Sequence, residues 1–541
     1  MRQERVFVQK VLNRPGAIWP LFVVPAIYVI FESVKTVSLK GSFGEFVDPD
    51  AAYYIACVNL LAGNSLHFVL HPGIGIIYFG AAVLAVAKAT LYPGTLGAQA
   101  LLHFEELSQT IRLSLVLAVA AATIGAGLIV ARGTRDRVYG IALQLGLFAT
   151  AAALTYGGRI MPESLLIAVA IMLVAVTYSA VRGGFTHRRF DVAAGVLVGI
   201  GLSTKILFAP FLLLYPITVG FRARPLTTYW ICVFLSLTLL LVPLHSELGV
   251  FGTYIRGIMQ HRGPYGSGLP GFLDFEVAAV AFMNLARDYG IQISAAFISF
   301  AVALVFRRSD QGAFRVLLAV TVVLCGSIAM IAKQYTAYYL VPGLAMVPFM
   351  VALAFTLIPV SSKFGFVARR LCAAVLILGC VAGPTKQAWG WYKGALSQNA
   401  DERRVVSGLA KMQGACFLAP SYSVGMYNYP IAFGFLYGAR LDDQVAFFNV
   451  ALKEAFGGMF PNYEYFEQKV FKPGAMVDFN EFVGPDGCAA VISSYPLNRD
   501  SAVFSGRATD LCKVGGLNIL LIRRTCEEVD LPKSVAQVRG Q

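Results

Sequence analysis

The sequence predicts an all-α polytopic membrane protein. It has about eleven transmembrane helices, surface helices in its first outer loop and a small α/β domain at its C-terminal end. Three observations predict this. Of 541 residues, 57% are apolar and 14% charged, with a mean hydropathy of +0.67; a soluble domain carries about 25% charge. Many of the apolar runs approach the roughly 20 residues that a helix needs to cross a bilayer. From Trp391 onward the composition turns charged and rich in Pro, Gly and Asn. Such a chain is not a soluble enzyme, a disordered polymer or a disulfide miniprotein.

The apolar runs lie at about 16–36, 111–131, 138–156, 162–181, 190–204, 205–220, 226–244, 289–306, 315–333, 339–358 and 371–389. Two of them, 190–204 and 205–220, are short and meet at Thr204-Lys205, as a hairpin or one interrupted element. The first run carries no small-residue cleavage site and reads as a retained anchor. Orientation follows from basic residues in short loops. Arg2, Arg5, Lys10 and Arg14 open one set; Arg132, Arg135, Arg137, Arg182, Arg188, Arg189, Arg222, Arg224, Arg307, Arg308, Arg315, Lys363, Arg369 and Arg370 complete it. The longer, alternate loops hold fewer, so the first set is cytoplasmic. The N-terminus is then inside and the tail outside. The net charge of +14 therefore sets topology and does not indicate nucleic acid: the region 391–541 is neutral, with 15 basic and 15 acidic residues.

This places a first loop at about 37–110, a loop at 245–288 and the tail on the outer face. Residues 51–62 are apolar and end at Gly63, a helix stop. A span at 73–92 would flip every later basic loop, so both segments read as helices at the membrane surface. The expected division is 1–390, membrane domain, and 391–541, outer α/β domain. In the latter, 414–419, 488–493 and 516–522 are β-like and 401–412 has helical spacing. Cys416, Cys488, Cys512 and Cys526 lie there and allow two disulfides in an oxidising compartment, with three connectivities open. The other five cysteines sit in apolar segments as packing residues.

The stretch 45–80 carries the chemistry. Asp48 and Asp50 precede a helix holding Tyr53 and Tyr54, and His71-Pro72 follows. Carboxylates at a membrane surface are costly unless exposed, paired or functional. Asp48 before Pro49 also suits an N-cap with proline at the first helical position, with Asp50 in the first turn. No His/Cys/Asp cluster has metal-ligand spacing. No cofactor is required by any motif, and a divalent cation at Asp48/Asp50 is compatible with the pair but not indicated.

The D-x-D-x-x-Y-Y segment and the following His71-Pro72-Gly73 resemble the N-terminal region of GT-C-fold glycosyltransferases. More closely, they resemble the polyprenyl-phosphate-sugar-dependent transferases related to the aminoarabinose transferase of lipid A and to protein mannosyltransferases. Arg159-Ile-Met-Pro162-Glu163, Gly201-Leu-Ser-Thr-Lys205 and Lys333-Gln-Tyr335-Thr-Ala-Tyr338-Tyr339-Leu-Val-Pro342 continue the pattern in order, over most of 15–390. Two positions depart from it: Ala51 follows Asp50, and Gly73 stands where many relatives have a second proline.

The resemblance implies a GT-C-like membrane domain in the cytoplasmic (inner) membrane, with the C-terminal domain periplasmic or extracellular. It implies transfer of a sugar from a polyprenyl phosphate, undecaprenyl-type in a bacterial host, to a hydroxyl of a lipid, glycan or protein. Inversion is expected. Asp50 is the expected base, Asp48 the runner-up and Glu163 a lesser candidate, which pairing with Arg159 would equally explain. Lys205, Arg159 and Lys333 are the expected phosphate clamp, although each could equally snorkel to the interface. Arg256, His261 and Arg262 sit in a Gly/Pro-rich outer loop as further binders. Tyr53, Tyr54, His71, Tyr338 and Tyr339 are expected to contact substrate. A lipid-linked glycan transporter or flippase is the competing class. It usually shows two related halves with matched broken helices, and only one interrupted pair is visible. A polysaccharide ligase or polymerase is the nearer enzyme alternative.

Overall fold

A computed structural model describes residues 18–39, 49–67, 73–91, 94–134, 136–183, 188–220, 222–260, 273–359 and 363–409. In the C-terminal region it describes 416–420, 431, 434, 441–456, 464–466, 469–472, 475–478, 481, 483, 487–493, 508–514, 517–529 and 531. Eight of the described helices are long and apolar enough to cross a membrane: Pro20–Ser38, Phe104–Thr134, Pro162–Arg182, Ala223–Met259, Phe275–Val305, Gln311–Ile331, Ala337–Leu357 and Gly365–Val405. The chain is a multi-pass membrane protein, and among the described residues its regular structure is helical apart from small C-terminal sheets.

Each predicted apolar run is helical, but several have different bounds. The run at 138–156 splits into Arg137–Gln144, a 3-10 turn at Leu145–Phe148 and Ala151–Tyr156. The break is at Thr150, which is extended and whose hydroxyl accepts from the Ala153 N–H at 3.0 Å, an N-cap arrangement. The run at 226–244 does not stop there. A 3-10 turn at Val242–Glu247 leads directly into the helix Leu248–Met259, so the predicted loop 245–288 begins as helix. The next helix starts at Phe275, and the position predicted as its start, Tyr289, is a kink with φ −135° and ψ 17°.

The chain forms two compact units. One comprises Met1–Val34, Leu70–Ile76 and Leu113–Gly390; the other Lys35–Val69, Ile77–Arg112 and Trp391–Gln541. In the first unit, Pro162–Arg182 and Val347–Leu357 are buried along almost their whole length. Helix Ala223–Leu241 instead exposes Ile231, Phe234, Leu235 and Leu239, as a lipid-facing helix does, because acyl chains are as apolar as leucine.

The second unit contains the helix Asp50–Ala62, buried from Asp50 to Asn59. Gly63 ends it with φ +78°, and the Gly63 and Asn64 N–H groups donate to the Leu60 and Asn59 carbonyls, the left-handed stop predicted. The start differs by one position from expectation: Pro49 is the capping residue and makes no side-chain cap bond, so Asp50, not Pro49, is the first helical residue.

Farther along, strands β1 (Phe417–Pro420), β5 (Ala489–Ser493), β6 (Ala508–Val514) and β7 (Leu517–Ile522) form a sheet in the order β1-β5-β7-β6, with β1 parallel to β5 and the other pairs antiparallel. Between β1 and β5, strands β2 (Glu464–Phe466), β3 (Lys469–Lys472) and β4 (Ala475–Asp478) form an antiparallel meander. The helix Lys363–Leu409 contains most of the helical stretch predicted at 401–412, and its Val405 and Leu409 pack in one core with Ile492, Ile519 and Leu521. All four tail cysteines are bonded, Cys416 to Cys488 and Cys512 to Cys526.

Candidate active site

In the first unit the G-L-S-T-K segment explains its own residues. The helix Arg188–Thr204 stops because Lys205 is extended, at φ −161° and ψ 133°, before a 3-10 stretch at Ile206–Leu213. Gly201 carries no Cβ because the Phe208 ring folds back onto that space, and Gly75 is bare for the same reason against the Thr204 hydroxyl. Gly73, at φ +59°, donates its N–H to the Thr204 carbonyl at 3.0 Å. A left-handed residue at that position favours glycine, which accounts for the departure at Gly73.

The break turns Lys205 inward, where its ammonium forms an ion pair and hydrogen bond with Glu163 Oε1. Both side chains are at most 3% exposed. Glu163 arrives there because Pro162 opens its helix after the extended Met161. The same ammonium lies 5.1 Å from the Tyr338 ring centroid and 4.5 Å from that of Tyr339, within cation–π range. Arg159 is buried, its guanidinium 5.2 Å from the Tyr156 ring, and Tyr156 meets Tyr338 edge to face at 5.1 Å. Two cations, one carboxylate and three tyrosines thus share one network.

Lys333, the third cation of the expected clamp, reaches the end of a helix. It donates to the Ile258 and Met259 carbonyls at 3.0 and 2.9 Å, neutralising the negative end of the helix Leu248–Met259. Burial holds its ammonium below the usual lysine value. Lys333 also lines a cavity of about 370 Å³ whose walls are Ile206, Leu207, Tyr254, Ile255, Ile258, Met259, Leu273, Ala329, Met330, Gln334 and Tyr339. Leu207 and Tyr339 belong equally to the small pocket around Lys205 and Glu163. Arg256 is exposed in the last turn of Leu248–Met259.

The structure of ArnT from Cupriavidus metallidurans bound to undecaprenyl phosphate superimposes on 93% of this chain and 97% of that one, with a TM-score of 0.52 at 14% sequence identity. The apo structure of the same protein gives 93% and 97%, a TM-score of 0.51 and 13% identity. The fold is that of ArnT. No protein-family model matches the sequence, and no curated protein matches it. The ArnT-like GT-C architecture was the class expected from the order of the motifs.

In the second unit of this ArnT-like chain, Asp50 is 1% exposed and accepts from Arg112 Nη2 at 3.3 Å. Arg112 is itself 5% exposed. Sequence reasoning missed Arg112. Its signal was a cation in the second position of an apolar run, where an ionisable residue asks for a partner. Tyr53 and Tyr54, expected to touch substrate, are 1% and 0% exposed. Tyr54 donates to the Ala100 carbonyl at 2.8 Å and packs edge-on against Phe104 at 4.6 Å. Asp48, His71, His261 and Arg262 lie outside the described residues. Among those described, no three His, Cys, Asp or Glu side chains are grouped to hold a metal ion.

Proposed function

We propose that this membrane protein is a glycosyltransferase that moves a sugar from a polyprenyl phosphate to a hydroxyl acceptor on the outer face of the cytoplasmic membrane, with inversion. The observation that carries the reading is the apolar cavity of about 370 Å³ that shares Leu207 and Tyr339 with the caged Lys205. An apolar cavity of a few hundred Å³ with few polar groups is the usual form of a small-molecule site. An isoprenoid chain fits its walls, and a phosphate fits the lysines at Lys333 and Lys205. The fold match to ArnT, which was crystallised with undecaprenyl phosphate, supports the same class of donor.

In this reading the acceptor oxygen attacks the anomeric carbon and its proton passes to the Asp50 carboxylate. The bond from that carbon to the phosphate oxygen breaks, and the electron pair stays on the phosphate. Negative charge accumulates there, so Lys205, Arg159 and Lys333 are the proposed stabilising cations. Arg112 and the Glu163 carboxylate are proposed to position Asp50 and Lys205 respectively. Two disulfides in the C-terminal region support an outer location, since such bonds persist in oxidising compartments.

The test is incubation of the purified protein with a panel of polyprenyl-phospho-sugars and acceptors. Release of polyprenyl phosphate coupled to glycosylation of an acceptor is the expected result. Binding or movement of an intact lipid-linked glycan without cleavage would assign the chain to transport instead.

A further inference from the structure

The C-terminal region after Trp391 has no predicted chemistry of its own, yet within its unit it is fastened to the helix that begins at Asp50. Three contacts do this. At the start of that helix, Gly434 lies so close that a Cβ there would sit 2.8 Å from the Ala51 carbonyl oxygen and 2.7 Å from Ile55 Cγ1. At its far end, Asp443 accepts from both the N–H and the hydroxyl of Ser65, at 2.8 and 2.6 Å. The buried Gln444 completes that grip by donating to the Ser65 carbonyl at 2.7 Å. Both residues open the helix Asp442–Phe456, whose Phe447 and Ala451 lie against Gly97 where no side chain would fit. The carboxylate of Glu454 accepts from Thr95 nearby.

We infer that Gly434 and the first turn of the helix Asp442–Phe456 form a clamp, one holding the start of the Asp50–Ala62 helix and the other the Ser65 segment just beyond its end, making them a positioning element for Asp50 and not an appended module. The physical argument is one of reach. A carboxylate acting as a base must lie within hydrogen-bond distance of the proton it takes, and a displacement of about 1 Å can cost about a hundredfold in rate. Asp50 is the first residue of its helix, so any shift of the helix moves the carboxylate with it. The Ser65 end adds rigidity because an ionised acceptor forms the stronger class of hydrogen bond. The inference rests on the reading of Asp50 as the base, but its structural half does not.

The experiment uses the full-length protein and three variants. Asp443→Ala removes the grip on Ser65, Gly434→Ala pushes on Ala51, and Val450→Ser changes an exposed position on the same clamp helix. Hydrogen–deuterium exchange is read over residues 51–66 together with kcat and the donor KM. Asp443→Ala and Gly434→Ala are expected to speed exchange in that segment and to lower kcat about ten- to a hundredfold at unchanged donor KM. Asp443→Asn, which keeps an acceptor oxygen, is expected to recover most of kcat, and Val450→Ser to match the wild type. Unchanged exchange in Asp443→Ala overturns the clamp, even if Gly434→Ala fails to fold. Faster exchange at unchanged kcat overturns the positioning role. If the wild type turns over no lipid-linked sugar, it is the transferase reading that fails, and exchange alone then decides whether the clamp exists.

Discussion

Arg112 Nη2 stands 3.3 Å from Asp50 Oδ1, with both side chains almost wholly withdrawn from solvent. That pair changes what substitution at Asp50 should do. Removing one member of a buried ion pair typically costs about 3–5 kcal/mol, because the other charge is left without its counterion. Asp50→Asn should therefore cut turnover by roughly 10²–10⁴, the loss of a general base, and also lower thermal stability. Adding Arg112→Met should return the melting temperature and leave the enzyme inactive. Equal turnover in wild type and Asp50→Asn would move the base elsewhere.

Lys205 and Glu163 allow a parallel separation. Lys205→Ala strands a buried carboxylate, so its thermal midpoint should drop and its affinity for polyprenyl phosphate should fall. In Lys205→Ala/Glu163→Gln the midpoint should recover, since no lone charge remains, while the affinity should not. Donor affinity matching the wild type in the double variant would leave Lys205 a purely structural cation.

The two disulfides close loops of different size, with sequence separations of 72 and 14. Loop-closure entropy assigns about 4 kcal/mol to the larger and about 3 kcal/mol to the smaller. Replacing Cys416 and Cys488 by serine should destabilise the sheet more than replacing Cys512 and Cys526, as read by local exchange in β5 and β7. Peptide mapping without reductant should recover the pairs 416–488 and 512–526.

Acid should act on the clamp through Asp443. The Ser65 hydroxyl and N–H that it accepts hold its carboxyl below the ordinary value of 3.8. A lowered value in the folded state means that the unfolded chain binds the proton more readily. The stabilisation is thus complete above 3.8 and is lost as the pH falls below it. Exchange over residues 51–66 should be independent of Asp443 protonation between pH 5 and 8, and Asp443→Asn should abolish the acid-dependent component of its rise below that range.

Much of the fold was legible because lipid imposes a simple rule: apolar runs of sufficient length become helices. The break at Lys205 and the stop at Gly63 were readable from local chemistry. The extension of Ala223–Leu241 into Leu248–Met259 was not, since the sequence read as a loop from 245 onward and a 3-10 turn carried the chain through. Among site residues, Lys205 and Glu163 were each singled out, but their pairing joins positions 42 apart, which no local pattern encodes. Lys333 was read as a phosphate ligand from its motif and its place at the end of an apolar run, and its bonds to the Ile258 and Met259 carbonyls depend on where a distant helix ends. Tyr53 and Tyr54 carried a recognisable motif, but their complete burial was not written in it.

The strand order β1-β5-β7-β6 has a consequence for biogenesis. β7, the latest strand in sequence, is the one that both β5 and β6 need as a neighbour. Until Leu517–Ile522 has been synthesised, those two strands expose unsatisfied edges, the surfaces most prone to mispairing. Cys512 likewise waits for Cys526, four residues beyond β7. An oxidant that acts early meets Cys416, Cys488 and Cys512 without the fourth thiol. The order of synthesis, as much as final stability, then determines whether the native bonds form, and a chain arrested before Leu517 is a substrate for thiol exchange and proteolysis.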